Sequence, residues 1–281
     1  MKTASPWTRL LSAVREPAAA GAGAPESEAR SPFQRDHDRI LFSGPFRRLA
    51  DKTQVFPLPV DDHVHSRLTH SLEVASIGRS LGSLVGAGLA AAGETDAAPR
   101  ELGDCVAAAC LAHDLGNPPF GHVGEQAIRE FFAARPDALA GLEARERLDL
   151  LRYEGNAQAF RIVTRLERPW RGGGLGLTHA TLGAFVKYPC ASDAAGAPGA
   201  GRSARKHGLM AADVPVWAEI AGALGLPRDP GAARWRRHPL AFLAEAADDV
   251  AYLLLDLEDG LRLGHVGEHD YVELVRPLAG A

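Results

Sequence analysis

The chain has 281 residues, 46% of them hydrophobic, enough for one large domain or two small ones with a substantial core. Its formal net charge of -4 gives no basic balance of the kind that marks a nucleic-acid binder. No run of about 18 apolar residues occurs, which predicts no membrane span, and the cysteines Cys105, Cys110 and Cys190 form no C-x-x-C pair, which predicts free thiols in a reduced, cytoplasmic compartment.

Taken in chain order, MKTASPWTRLLSAVREP lacks the long apolar stretch of a secretory signal, and Glu16, Glu26 and Glu28 argue against a transit peptide. Residues 17–31 are small, polar and rich in Pro and Gly, so residues 1–32 are expected to be a flexible segment and residues 33–281 the folded domain. Leu68, Leu72, Ala75, Leu81, Leu84 and Val85 make one long helical stripe, and Leu102, Val106, Ala109 and Cys110 make a second. Residues 117–122, NPPFGH, must be a loop, because paired prolines and a glycine cannot continue a helix; another helix starts near Val123. Helical patterning follows at 156–166, 178–186, 216–224 and 239–261. Residues 191–206 read as a mobile surface loop, whose Arg202, Arg205 and Lys206 could reach phosphate but are solvated by default. Period-two strand patterns are scarce and no internal repeat is present, so the fold class is all-α.

Polar residues inside apolar helices carry the chemistry: His70, the adjacent pair His113 and Asp114, and Asp248. Imidazole nitrogen with carboxylate oxygen suits a divalent cation such as Mg²⁺, Mn²⁺, Fe²⁺ or Zn²⁺. Each signal alone is weak, since a lone histidine usually sits satisfied in a core and Asp248 or Asp249 alone reads as a surface carboxylate. The ensemble is stronger. Asp248, Tyr252 and Asp256 lie at i, i+4 and i+8 on one face of an otherwise apolar helix. Two unpartnered buried carboxylates would be costly, and a cation or a polyhydroxyl ligand resolves the conflict.

The order H…HD…D, with the strings FRRLADKTQVFPL, RLTHSLEVA, AHDLGNPPFGHVGEQA, YEGNAQAFR, ATLGAFVKYP and ADDVAYLLLDLEDG, resembles the HD-domain phosphohydrolases, in their deoxyguanosine triphosphate triphosphohydrolase branch. The resemblance implies a helical bundle around a metal site. It implies hydrolysis of a deoxynucleoside triphosphate to a deoxynucleoside and inorganic triphosphate, with Mg²⁺ or Mn²⁺ ahead of Fe²⁺ or Zn²⁺. His70, His113, Asp114 and Asp248 match the metal ligands, with Asp249 as the alternative to Asp248. His122 and Glu125 match the catalytic pair. Gln54, Val55, Tyr252 and Asp256 match sugar-side positions, and Arg67, Asn117, Asn156 and Lys187 match phosphate-side or metal-shell positions. His65 and Tyr153 depart from the common pattern. Relatives continue past the position of Ala281 with base-side contacts, so base preference is not legible. A homo-oligomer is expected, and single-stranded DNA as a partner rests on analogy alone. Two alternatives stay open: another HD phosphohydrolase, such as a monophosphate nucleotidase, and a nucleotide- or DNA-binding regulator without turnover.

Overall fold

A computed structural model of the chain describes residues 5–16, 30–57, 63–168, 172–196 and 201–278. Among the described residues the elements run α1 (Pro6–Leu10), β1 (Arg15–Glu16), α2 (Pro32–Leu41), α3 (Gly44–Arg47), α4 (Arg67–Ala91), α5 (Pro99–Ala112), α6 (Gly121–Ala134), α7 (Ala144–Leu151) and α8 (Gly155–Arg161). A π-helical turn (Ile162–Leu166) follows α8, then β2 (Leu177–Thr178), α9 (His179–Phe185), α10 (Val214–Leu224), α11 (Pro239–Arg262) and α12 (Glu268–Val275). The only sheet among these residues is the antiparallel β1–β2 ribbon, so the all-α reading holds.

The core is organised around α5. Every residue from Leu102 to Ala112 is buried. A helix apolar on all sides has no solvent face to offer, so neighbours must cover it all round; α2, α4, α9 and α11 do so. Glu101 starts the helix by accepting the Ala98 N–H at 3.0 Å. At α4 a capping box fixes the start, with the Thr69 N–H donating to Ser66 Oγ and the Ser66 N–H donating to Thr69 Oγ1.

The face that α4 buries differs from the leucine stripe expected. It turns Val74, Ala75, Gly78, Gly82 and Gly86 inward, while Leu84 is 71% exposed and Leu72 and Val85 are also exposed. The cause is close approach. A Cβ on Gly82 would stand 2.8 Å from the Leu102 carbonyl oxygen and 2.9 Å from Gly103 Cα, so only glycine lets the two backbones meet there. A reading that scores side-chain hydropathy gives such glycines no weight. Among the described helices α4 alone is long and apolar enough to cross a membrane. Its inner face, which carries the buried Arg67 and His70, is packed on α5 and α11.

Two stretches read as flexible include ordered residues. Within 1–32, Trp7, Leu10 and Leu11 pack on the core, and Arg15 pairs with buried Asp36 at 2.5 Å. Asp36 also accepts from the Thr178 backbone and hydroxyl, locking the β1–β2 ribbon to α2. Residues 17–29, the centre of the expected linker, lie outside the described residues. In the 191–206 loop, Ala191, Ser192, Ala194 and Ala204 are buried, and Ser192 Oγ donates to Asp149 of α7 at 2.6 Å. Residues 197–200 of that loop are again outside the described part.

Candidate metal and nucleotide site

Three helices deliver the central cluster. His70 lies in the first turn of α4, His113 caps the end of α5, and Asp248 sits midway along α11. One donor atom from each lies within 4.8 Å of the other two. His70 Nε2 is 3.2 Å from Asp248 Oδ1, and His113 Nε2 is 3.6 Å from the same oxygen. His113 Nδ1 donates to the Cys110 carbonyl at 2.6 Å, which leaves Nε2, on the side of the carboxylate, as the nitrogen that a metal would take. This donor set fits a divalent cation. Asp249, the alternative, is exposed and does not line the cavity.

Asp114 sits beside that trio, its Oδ1 3.4 Å from His113 Nε2, and has further partners of its own. Arg67 Nη1 donates to its Oδ2 at 2.5 Å, and the Asn117 amide donates to Oδ1. The charges are set for a cation nonetheless. Burial disfavours the ionised carboxyl of Asp114, but His113 and Arg67 beside it hold it below the usual carboxylate range. Burial opposes ionisation of Asp248 as well, and His113, the His70 hydrogen bond and Lys187 outweigh it, so this carboxylate is ionised at any ordinary pH. Burial disfavours the imidazolium of His113, yet Asp114 and Asp248 raise its pKa overall.

A cavity of about 530 Å³ opens over the cluster. Gln54, Val55, Arg67, Asn117, His122, Asn156, Lys187 and Tyr252 all line it with His70, His113, Asp114 and Asp248. Of the residues expected at the metal, catalytic and substrate positions, Glu125 and Asp256 do not line it. Glu125 lies behind His122: it is buried, accepts from His122 Nδ1 at 2.9 Å and from the Gly155 N–H at 2.7 Å, and so fixes the ring. His122 itself is 81% exposed at the side chain. Asp256 lies two turns along α11 from Asp248, with both carboxylate oxygens buried and unpartnered among the described residues. Burial raises its pKa to about 6. Gln54 Oε1 is likewise buried and unpartnered.

The loop between α5 and α6 positions this chemistry under strain. Phe120 adopts φ 63°, a left-handed conformation that costs a non-glycine residue about 1–3 kcal/mol. Gly121 follows at φ 53°, and a Cβ there would stand 2.6 Å from Arg67 Nη2. The glycine therefore lets the guanidinium reach Asp114 beneath the start of α6.

The structure adds residues the sequence did not single out. Glu245, one turn before Asp248, pairs with Lys187 at 3.4 Å and with Arg237; its i−3 spacing was the available signal. Lys52 donates to the Asn117 carbonyl at 2.5 Å, bracing the loop. Arg205 and Lys206, read as solvated loop cations, line the cavity.

Comparison with known proteins agrees with this arrangement. The HD domain family model matches residues 67–214. A deoxyguanosinetriphosphate triphosphohydrolase-like protein of Pseudomonas aeruginosa (strain LESB58) is 49% identical over 98% of this chain and 61% of its own length. Proteins of the same description from Synechocystis sp. and Listeria monocytogenes are 48% and 38% identical, over 84% and 92% of this chain and 56% and 57% of theirs. The chain thus spans about three fifths of the length of these curated relatives. With half its residues matched by the family model and its histidines and aspartates gathered as described, the chain belongs to the HD-domain family of phosphohydrolases.

Proposed function

We propose that this chain hydrolyses deoxynucleoside triphosphates to a deoxynucleoside and inorganic triphosphate, with one divalent cation held by His70, His113, Asp114 and Asp248. The observation that carries the reading is the conjunction, along one helix, of an ionised metal-type carboxylate and an unpartnered buried one: Asp248 and Asp256. A cation answers the first and a sugar hydroxyl the second. Asp114 completes the four-ligand set through Oδ1, which lies 3.4 Å from His113 Nε2, while Oδ2 keeps its contact with Arg67. When bound, the cation neutralises charge on the phosphate undergoing attack and orients the nucleophile.

The chain's own residues supply the rest. Arg67 and Lys187 offer cations to the phosphates, and Asn117 and Asn156 offer amides. Glu125 holds His122 by Nδ1, leaving Nε2 for proton exchange at the reacting phosphate. Water adds to the α-phosphorus, the bond from that phosphorus to O5′ breaks, and one proton ends on O5′. Gln54 in the lining and Asp256, which the sugar must reach beyond that lining, engage the 3′-hydroxyl, while Val55 and the Tyr252 ring leave the 2′ position without a polar partner. A preference for deoxyribose follows, and a cytoplasmic nucleotide pool is the expected setting.

The test is an assay of purified protein with each of the four deoxynucleoside triphosphates and Mn²⁺ or Mg²⁺, separating triphosphate from orthophosphate. Triphosphate release supports the reading. Orthophosphate from monophosphates alone would replace it with a nucleotidase, and binding without product would replace it with a regulator.

A further inference from the structure

A second cavity, of about 700 Å³, lies behind His122 between α6, the end of α7, Ala195–Gly196 and Arg205–His207. It is separate from the nucleotide cavity but shares His122, Arg205 and Lys206 with it, so the two chambers meet at the exposed imidazole. Its lining is biased toward anions. Arg129, Arg152, Arg205 and Lys206 face only two carboxylates, Glu125 and Glu154. Those carboxylates are already engaged: Glu125 holds His122 and the Gly155 amide, and Glu154 takes Lys206 at 3.1 Å and Arg129 at 3.4 Å. Arg152 donates to the Ser192 carbonyl at 3.0 Å, and neither Arg152 nor Arg205 has a carboxylate partner among the described residues.

The independent observation is His207. It is 3% exposed, lines the cavity, and its Nε2 has no hydrogen-bond partner among the described residues. A buried polar atom left unmatched is costly, and a ligand oxygen in the chamber would satisfy it. Burial, with Arg129 and Arg152 nearby, lowers the pKa of this imidazole to about 4, so the ring is neutral and offers an N–H without adding charge.

We infer that this chamber binds a condensed inorganic phosphate of the tripolyphosphate class, held by Arg152, Arg205, Lys206 and His207. The inference rests on the proposed reaction insofar as that reaction releases such an anion beside His122. Its source is either that released product, passing out behind His122, or free polyphosphate from solution.

Titration calorimetry of inorganic tripolyphosphate in EDTA, with no metal present, reads the chamber apart from the metal cluster. Wild type is expected to bind. Arg152→Ala and His207→Asn, which alter only the second cavity, are expected to weaken binding about tenfold or more, since hydrogen bonds to charged groups contribute that much. Arg152 is exposed, so its variant is expected to keep the fold, and a melting curve checks this. No binding by wild type, or unchanged affinity in both folded variants, overturns the inference. Inhibition of turnover by added tripolyphosphate, relieved in Arg152→Ala, marks free anion as a ligand; slowed triphosphate release in that variant marks the product. Failure of the proposed reaction is read separately: a chain that binds tripolyphosphate through Arg152 yet releases none from any nucleotide keeps the chamber and loses the triphosphohydrolase reading.

Discussion

The central cluster and the pair in the first turns of α6 use the same two residue types, histidine and carboxylate, in opposite settings. His70, His113 and Asp248 come from three helices and are held by the core beneath them. His122 stands 81% exposed at the start of α6 and is held by one buried carboxylate, Glu125. A metal ligand must be fixed relative to other ligands, which packed helices do well; a proton carrier must be reachable, which the exposed first turn of a helix does well. The same chemistry thus divides into a positioned half and an accessible half.

The comparison breaks most sharply at the cluster. Asp248→Ala is expected to abolish stoichiometric metal binding and to lower turnover by about 10³ or more, because charge stabilisation of several kcal/mol is lost at tenfold per 1.36 kcal/mol. Metal analysis with kinetics checks it, and Asp249→Ala, at the exposed neighbour, should leave both near wild type. A larger loss from Asp249→Ala would shift the register by one residue. At the start of α6, His122→Ala should keep metal content and melting temperature while lowering turnover by about 10² to 10⁴, the usual worth of a general acid or base. Near-normal turnover there would reduce His122 to a residue at a helix start.

The two halves also differ in how legible they were. The helices carrying His70, His113 and Asp248 could be read because apolar periodicity frames each polar residue. The loop could be read because Pro118 and Pro119 exclude helix, but it ends at Phe120, and α6 begins at Gly121, earlier than the glycine suggested. The packing of α4 could not, since Gly78, Gly82 and Gly86 leave no hydropathy signal and act through backbone approach. The pairing of Asp114 with Arg67, 47 residues away, has no sequence signature of its own. Nor has the burial of Ser192 and Ala204, in a stretch whose composition imitates an exposed loop.

A smaller effect tests the proposed division of the cavity into a phosphate side and a sugar side. Wild type is expected to turn over dGTP at least about tenfold better than GTP, because a 2′-hydroxyl against Val55 and Tyr252 loses solvent without gaining a partner, at about 1–3 kcal/mol. Val55→Gly should narrow that ratio with little change in metal binding. Equal turnover of both nucleotides by wild type would refute the sugar-pocket reading while leaving the metal site standing.

The smallest effect lies within α11, where two aspartates eight residues apart respond to pH with opposite signs. Asp248 is held below the usual carboxylate range, so its interactions stabilise the fold above its unfolded pKa and are lost as pH falls through the folded value. Asp256 is raised from 3.8 to about 6, because burial outweighs the favourable pull of His70 and His65. Between those two values the folded state binds more protons than the unfolded state, so stability falls as pH rises through that window and stays lower above it. Asp256→Asn cannot ionise and keeps the shape. In metal-free, nucleotide-free protein it should therefore melt higher than wild type at pH 7.5, by a margin that shrinks below pH 6 and vanishes near pH 4. Calorimetric scans of both proteins across that range measure it. The same substitution should weaken deoxynucleotide binding, since an amide at this position is a poorer acceptor for a 3′-hydroxyl. A variant more stable at neutral pH but weaker in binding would identify Asp256 as a residue kept for its ligand at the expense of the fold. A margin independent of pH would show instead that the carboxylate is already satisfied without one.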